Sequence, residues 1–374
     1  MIKSLFFFGT RPEAIKLAPL VREFRKRPKV FDVRVCVSAQ HREMLDQVLS
    51  FFGIVPDFDL DIMRPNQSLY DILSRSLLGV KDVLRSFSPD YLIVQGDTTT
   101  TFTGALAAFY EKVGVVHIEA GLRSFDKYSP FPEEINRVLT THLTDLHFAP
   151  TEKARQNLLE ESVPEDRIFV VGNTGIDALF LCLHKLSRKG PGDFKTLKPI
   201  DFSKKVILVT GHRRESFGKP FENICHALKQ IARLDDVEIV YPVHLNPNVR
   251  KPVYDILKGV SNVHLIEPLD YPSFVWMMNR SHIIVTDSGG VQEEAPSLGK
   301  PVLVMRDVTE RVEGLYAGTA KLVGTKKDHI VRETLKLLSD GDEYHRMAKA
   351  VNPYGDGKSC ERIREVLIKR HRHA

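Results

Sequence analysis

The stretch SLFFFGTRPEAIKLAPLVREF, residues 4–24, decides the fold. It opens on a run at 4–8 that is unbroken and apolar from Leu5 to Phe8. Such a run suits a strand buried on both faces of a parallel sheet. Gly9 and Thr10 then punctuate the chain. Thr10 is placed to cap a helix, and Pro12 is preset for that helix's first turn. Leu17, Leu20, Val21 and Phe24 recur at i, i+3, i+4 and i+7, the spacing of one buried helical face. A strand that feeds a helix through a short turn is the first half of a βαβ unit.

The same alternation continues along the chain. Further apolar runs lie at 33–37, 91–94, 113–118, 146–148 and 168–171, and in the second half at 206–210, 237–241, 263–266, 282–286, 302–305 and 321–323. They predict an α/β protein made of two halves, each with its own parallel sheet. Gly172-Asn173-Thr174-Gly175 closes the first half, with a hinge expected at 174–177. The aperiodic Lys/Gly/Pro segment 186–205 then reads as a loop opening the second. Beyond the turn at 352–357, Ile363, Val366 and Leu367 mark a final helix, followed by a basic, solvated tail.

Composition narrows the class. The 374 residues are 43% hydrophobic and 27% charged, which fits two folded domains and argues against disorder. The net charge of +5 contains no long run of one sign, so no nucleic-acid partner is expected. No apolar stretch reaches the roughly 18 residues of a membrane span. Met1-Ile2-Lys3 enters the first strand without a small-residue cleavage site. Cys36, Cys182, Cys225 and Cys360 stand far apart without a CxxC, which disfavours disulfides and zinc and fits a reducing compartment.

Ligands of open parallel sheets sit outside the carboxyl ends of the strands, so the polar residues after each run are the candidates. Arg11 and Lys16 bring positive charge to the start of the first helix, which is otherwise simply well capped. Asp97 follows the run 91–94, as a reactive carboxylate or as a cap for the next helix. In HIEAG at 117–121, Glu119 ends another run, as a reactive group or in an ion pair with Arg123. Glu133 opens the helix after Pro130-Phe131-Pro132, where an acid also favours the helix dipole. Three carboxylates from one sheet edge are what acid–base chemistry on a neutral substrate requires. In the second half, His212 and Arg213 suit phosphate, or belong to a surface cluster. Ser288, Gly289 and Gly290 let backbone N–H groups approach an anion, or pack a helix start. Glu294, one turn on, suits two ribose hydroxyls, and Arg311 adds a cation. Asp59-Leu60-Asp61 has DxD spacing but lies before Pro65 in a loop, and the histidines show no metal-ligating spacing, so no metal site is expected.

These segments resemble those of the non-hydrolysing UDP-N-acetylglucosamine 2-epimerases. The resemblance runs through GTRPEAIK (9–16), AQHREMLDQVL (39–49), GDTTTT (96–101), HIEAGLRS (117–124), SPFPEEINR (129–137), GHRRESFG (211–218), YPVHLNPNV (241–249) and DSGGVQEEAPSLGKPVLVMRD (287–307). It implies a GT-B-like fold: two Rossmann-type domains whose parallel sheets face across a deep cleft. Residues 1–173 would form the sugar side, with helix 358–374 packing back on it, and 174–357 the UDP side. It implies interconversion of UDP-GlcNAc and UDP-ManNAc by elimination and re-addition of UDP through 2-acetamidoglucal, without metal or nicotinamide. The product would supply ManNAc for cell-surface polysaccharide. Carried over by motif, Lys16, Asp97, Glu119, Glu133 and His212 are the catalytic set. Arg11, Phe274, Ser288, Gly289, Gly290, Glu294 and Arg311 join them in binding substrate, with Phe274 against uracil. The resemblance also implies a cytoplasmic homodimer and a second UDP-GlcNAc as activator, on Gln40, Glu43, Gln67, Arg213 and His244. Two positions depart from the family pattern: Val312 follows Arg311 in place of Pro, and Leu269 stands where some members have Gln. A GT-B glycosyltransferase, a hydrolysing 2-epimerase and a non-catalytic nucleotide-sugar sensor are the alternatives.

Overall fold

The computed structural model describes residues 1–39 and 42–372. It divides into two α/β units, Met1–Ala178 together with the segment from Gly355 onward, and Leu179–Tyr354. In the first unit the strands are β1 (Ile2–Phe8), β2 (Phe31–Val37), β3 (Phe58–Asp59), β4 (Tyr91–Gln95), β5 (Gly114–Ile118), β6 (Leu146–Ala149) and β7 (Ile168–Val170). They form a parallel sheet in the order β3-β2-β1-β4-β5-β6-β7. The second unit holds β8 (Lys205–Thr210), β9 (Val237–Pro242), β10 (Val263–Ile266), β11 (Ile283–Thr286), β12 (Val302–Val304) and β13 (Ala320–Leu322). Their order, again parallel, is β10-β9-β8-β11-β12-β13. Both orders reverse direction after the first strand of the unit, the doubly wound pattern. The switch points lie between β1 and β4, and between β8 and β11.

Burial explains the apolar runs. Leu5, Phe6, Phe7 and Phe8 are all fully buried. Leu5 and Phe7 join a cluster with Val80, Leu84, Ala105 and Ala108, which lie on the helices Leu69–Phe87 and Thr99–Tyr110. On the opposite face, Phe6 meets Phe24 of the helix Arg11–Arg25 edge-on at 5.5 Å. Helices therefore cover both faces, and alternation has no reason to appear. In the second unit Ile207, Val209, Ile239 and Val285 pack with Phe221, Ile224 and Leu228 of the helix Lys219–Ile231.

Three elements differ from the sequence expectation. Strand β3 is an addition, only two residues long, paired with Cys36 and Val37 and too short to show periodicity. The segment 186–205 contains two short 3-10 turns, Pro191–Asp193 and Lys195–Leu197. The third is the stretch 174–177, expected as a hinge: it is the first turn of a helix, Thr174–Leu186, within which the two units divide. Asn173 Oδ1 accepts the Gly175 N–H at 2.8 Å, and Ile176, Ala178, Leu179 and Cys182 are fully buried. The glycine that suggested a hinge is thus held by a cap.

The C-terminal helix Ser359–His371 belongs to the first unit. Asp177 accepts the N–H groups of Cys360 (2.9 Å) and Ser359 (3.3 Å), satisfying donors at that helix's open end. Arg364 pairs with Glu23 of the helix Arg11–Arg25, and Ile363 and Leu367 are fully buried beneath.

His117 of β5 and His147 of β6 are register partners inside the first sheet, both buried. Burial pushes the His117 imidazole down to about 4, and burial together with His117 pushes His147 down to about 3. An unfolded histidine titrates near 6.5. The unfolded chain therefore takes up protons that the native state refuses, so stability rises with pH across this window. Stability should be full above about pH 6.5 and decline as pH falls towards about 4. Urea midpoints across that range should show the decline, and His147→Gln should make it shallower.

Candidate active site

In the first unit the switch point is pinned by Glu13, a fully buried carboxylate. Its Oε2 accepts the N–H groups of Thr10 (2.8 Å) and Gly9 (3.1 Å), closing a capping box on the helix Arg11–Arg25. Its Oε1 accepts the hydroxyls of Thr98 (2.7 Å) and Thr101 (3.2 Å) after β4. Burial raises the Glu13 pKa, and these hydrogen bonds oppose that rise. Gly9 is required here: a side chain would collide with Ser38 Oγ and come within 2.7 Å of Thr100 Oγ1.

Asp97 lies one residue beyond the Gly96 turn that ends β4. The cap of the next helix is Thr98, whose Oγ1 accepts the Thr101 N–H, so Asp97 is not needed there. Asp97 Oδ2 instead receives Nε (2.9 Å) and Nη2 (2.6 Å) of Arg137. Arg137 also reaches Glu134 at 3.0 Å, and Asn136 Nδ2 donates to the Asp97 carbonyl at 2.9 Å. Both come from the helix Glu133–Leu143. Glu119 ends β5 and forms an ion pair with Lys16 of the helix Arg11–Arg25. The alternative partner Arg123 is engaged with Glu161 at 2.6 Å. Glu119 has φ +65, a left-handed backbone costing on the order of 1–3 kcal/mol for such a residue and concentrated at functional sites. Glu133 is partly exposed at the start of its helix, where no hydrogen bond is made to it among the described residues. Its neighbour Glu134 is the buried acid, and accepts the N–H groups of Ser124 and Phe125. Arg11 is half-buried one turn before Lys16.

In the second unit Asp287, after β11, is buried and does the pinning. Its Oδ2 accepts the N–H groups of His212 (2.7 Å) and Arg213 (2.8 Å), which follow β8. The His212 ring stacks on His244 at 5.3 Å, with Nδ1 3.5 Å from Asp287 Oδ1. Desolvation lowers the His212 pKa, with His244 and Arg213 acting the same way against Asp287. A neutral ring offers a hydrogen bond rather than a charge.

Ser288 precedes the short helix Gly289–Glu294, which carries Gly290 and ends on Glu294. The Arg311 guanidinium lies against Gly289, where a Cβ would come within 3.3 Å of Cζ. Arg311 is oriented by Glu293 at 2.7 Å and Glu310 at 3.1 Å. Glu310 also meets Arg306 at 2.7 Å and Arg213 at 3.5 Å. Burial works to raise the Glu310 pKa, but the arginines outweigh it and bring it down to about 2. Phe274 is half-buried on the helix Tyr271–Arg280.

Of the residues expected to hold an activator, Gln40 lies outside the described residues. Glu43 is exposed on the helix Arg42–Phe52, and Gln67 accepts the Arg64 N–H at 3.1 Å in the same unit. Arg213 and His244 belong to the other. Asp59 and Asp61 both approach Arg42, at 2.6 and 3.5 Å. Sequence reasoning missed Glu13, although Thr10-x-x-Glu13 is a capping-box signature. It also missed Glu134, and Arg137 and Asn136, whose partner Asp97 lies far away in the chain.

Comparison with known proteins bears on the family and the fold. The sequence model of the family UDP-N-acetylglucosamine 2-epimerase matches residues 22–368. A UDP-N-acetylglucosamine 2-epimerase of Escherichia coli K12 is 59% identical over 370 residues, covering 98% of both chains. One from Campylobacter jejuni is 54% identical, covering 98% of this chain and 97% of its own. The crystal structure of the Neisseria meningitidis UDP-GlcNAc 2-epimerase bound to UDP-GlcNAc matches with a TM-score of 0.90 at 52% identity, covering 98% of this chain and 100% of that one. The Methanocaldococcus jannaschii enzyme in complex with UDP-GlcNAc and UDP matches with a TM-score of 0.80 at 36% identity, with the same coverage. Two parallel-sheet units of GT-B-like fold, matched over nearly their whole length, lead to one assignment: this chain belongs to the UDP-N-acetylglucosamine 2-epimerase family.

Proposed function

We propose that the protein epimerises C2 of UDP-GlcNAc, reversibly giving UDP-ManNAc, without net hydrolysis. One observation carries the reading. Asp97 and Glu119 stand just beyond the ends of adjacent strands, each beside a cation, Arg137 and Lys16. The C2 proton of the sugar is not acidic enough for simple removal. One carboxylate takes it while the C1–O bond breaks and UDP leaves, which forms the C1=C2 bond of 2-acetamidoglucal. Protonation at C2 from the opposite face and return of the diphosphate oxygen to C1 complete the inversion. Glu133 completes the sugar-side acids. Arg11, His212, the backbone at Ser288-Gly289-Gly290 and Arg311 stabilise the departing diphosphate, whose charge peaks as the bond breaks. Phe274 serves uracil and Glu294 the ribose.

The reading extends to a cytoplasmic homodimer with two domains, 1–173 plus 358–374 on the sugar side and 174–357 on the UDP side. All four cysteines are buried and free, which suits a reducing compartment, and no helix among the described residues is long and apolar enough to cross a membrane. The product supplies ManNAc units for a cell-surface polysaccharide. A second UDP-GlcNAc acts as activator at Gln40, Glu43, Gln67, Arg213 and His244.

Incubation with UDP-GlcNAc in deuterated water, followed by NMR, tests the chemistry. The expected product is UDP-ManNAc carrying deuterium at C2. Free ManNAc with UDP would indicate the hydrolysing reaction, undeuterated UDP-ManNAc a different route, and no change a transferase or a sensor. Asp97→Asn and Glu119→Gln should each lower turnover by about 10² to 10⁴-fold, the range of general acid–base contributions, while UDP binding measured by calorimetry changes little. For the activator, initial rate against UDP-GlcNAc should be sigmoidal, and become hyperbolic in His244→Ala.

A further inference from the structure

The strand pairing between β4 and β5 ends at Gln95 and Ile118, two residues before Asp97 and one before Glu119. Beyond it the chain turns sharply at Gly96, with φ +72. Two groups from β5 grip this one residue. Gly96 N–H donates to the Ile118 carbonyl at 3.0 Å. The Gly96 carbonyl accepts from the His117 ring Nε2 at 2.7 Å. The next residue on one chain is Asp97, and the next on the other is Glu119.

We infer that His117 is a positioning residue: it holds the Gly96 turn, and through it the Asp97 carboxylate, in register with Glu119. The inference rests on the epimerase reading and adds a residue to it. A side-chain hydrogen bond here extends the cross-strand grip past the last ladder pair. Asn136 fixes the Asp97 carbonyl and Arg137 its carboxylate, so the Asp97 segment is held from two elements, β5 and the helix Glu133–Leu143.

The chemistry of the position supports a dedicated role. Ring nitrogens buried inside a sheet cost free energy unless they are bonded, and a Val or Ile would fill the space without that cost. His117 is fully buried, yet its Nδ1 meets no hydrogen-bond partner among the described residues. The one hydrogen bond its ring makes among the described residues is to the Gly96 carbonyl, which fixes the proton on Nε2. The charged and titratable groups around it are Glu119, Arg123, Arg137 and His147. The ring stays neutral, so the grip is an ordinary N–H to carbonyl bond through the working pH range.

Two amide substitutions test this while keeping the site polar. In His117→Gln the side-chain nitrogen reaches as far as ring Nε2, whereas in His117→Asn it falls short. Displacement of a reacting group by an ångström can cost 10²-fold in rate, so His117→Asn should lose about 10- to 100-fold in kcat with KM nearly unchanged. His117→Gln should recover most of that loss. Amide exchange at Gly96 should quicken in His117→Asn and return towards the wild-type rate in His117→Gln. Wild-type kcat in His117→Asn, equal losses in both variants, or a rise in KM alone would overturn the inference. If the wild-type protein does not convert UDP-GlcNAc, the epimerase reading fails instead, and Gly96 exchange still decides whether His117 holds the turn.

Discussion

Two buried carboxylates hold the molecule's chemistry in place, one at each switch point. Glu13 reaches from the turn after β1 to the threonines after β4, and Asp287 from the end of β11 to the backbone after β8. A carboxylate removed from water is costly unless its oxygens are satisfied. Glu13 meets the cost with two backbone and two hydroxyl donors; Asp287 gives Oδ2 to two backbone N–H groups, and its Oδ1 lies 3.5 Å from the His212 ring. Charge-assisted bonds of this kind are roughly twice as strong as neutral ones. Both fix where the candidate site residues begin.

From these anchors the functional side chains follow by short steps. Arg11 and Lys16 sit on the helix whose start Glu13 closes, and Asp97 adjoins Thr98, a Glu13 ligand. His212 and Arg213 give their N–H groups to Asp287, and Ser288 and Gly289 are the next residues after it. The polar residues lie at strand ends because a doubly wound sheet leaves its crevice there and nowhere else. The sheets themselves rest on apolar runs such as 5–8, which are buried whatever the site does.

The apolar runs were legible because burial on both faces leaves a local mark. So were Asp97, Glu119 and the Gly289-Gly290 pair, each placed just after such a run. What was not legible is long-range. Arg137 finds Asp97 across 40 positions, and Lys16 finds Glu119 across 103. A single sequence carries no signal for such pairs, so Arg123 looked as good a partner for Glu119 as any other. The helical turn at 174–177 was hidden for a related reason: a glycine reads as freedom until the Asn173 cap is seen. Strand β3 failed through length alone. Glu13 is different, since its capping box was written locally and went unread beside the more conspicuous Arg11 and Lys16.

Pairing also settles how acids can serve a substrate that already carries a diphosphate. Bare carboxylates gathered at one sheet edge would repel such an anion, by several kcal/mol at contact distances in a partly buried site. Here Asp97 meets Arg137, which it shares with Glu134, and Glu119 meets Lys16, so each candidate carboxylate has a cation beside it. The left-handed backbone at Glu119 then has a reason. A residue in ordinary extended conformation would continue β5 along the sheet, whereas φ +65 turns the chain at the strand's end, and the carboxylate is held there by Lys16 from the first helix. Strain at one residue, a cation beside each of two and a histidine bond at the turn between them serve one end: two carboxylates held at fixed positions just beyond adjacent strands.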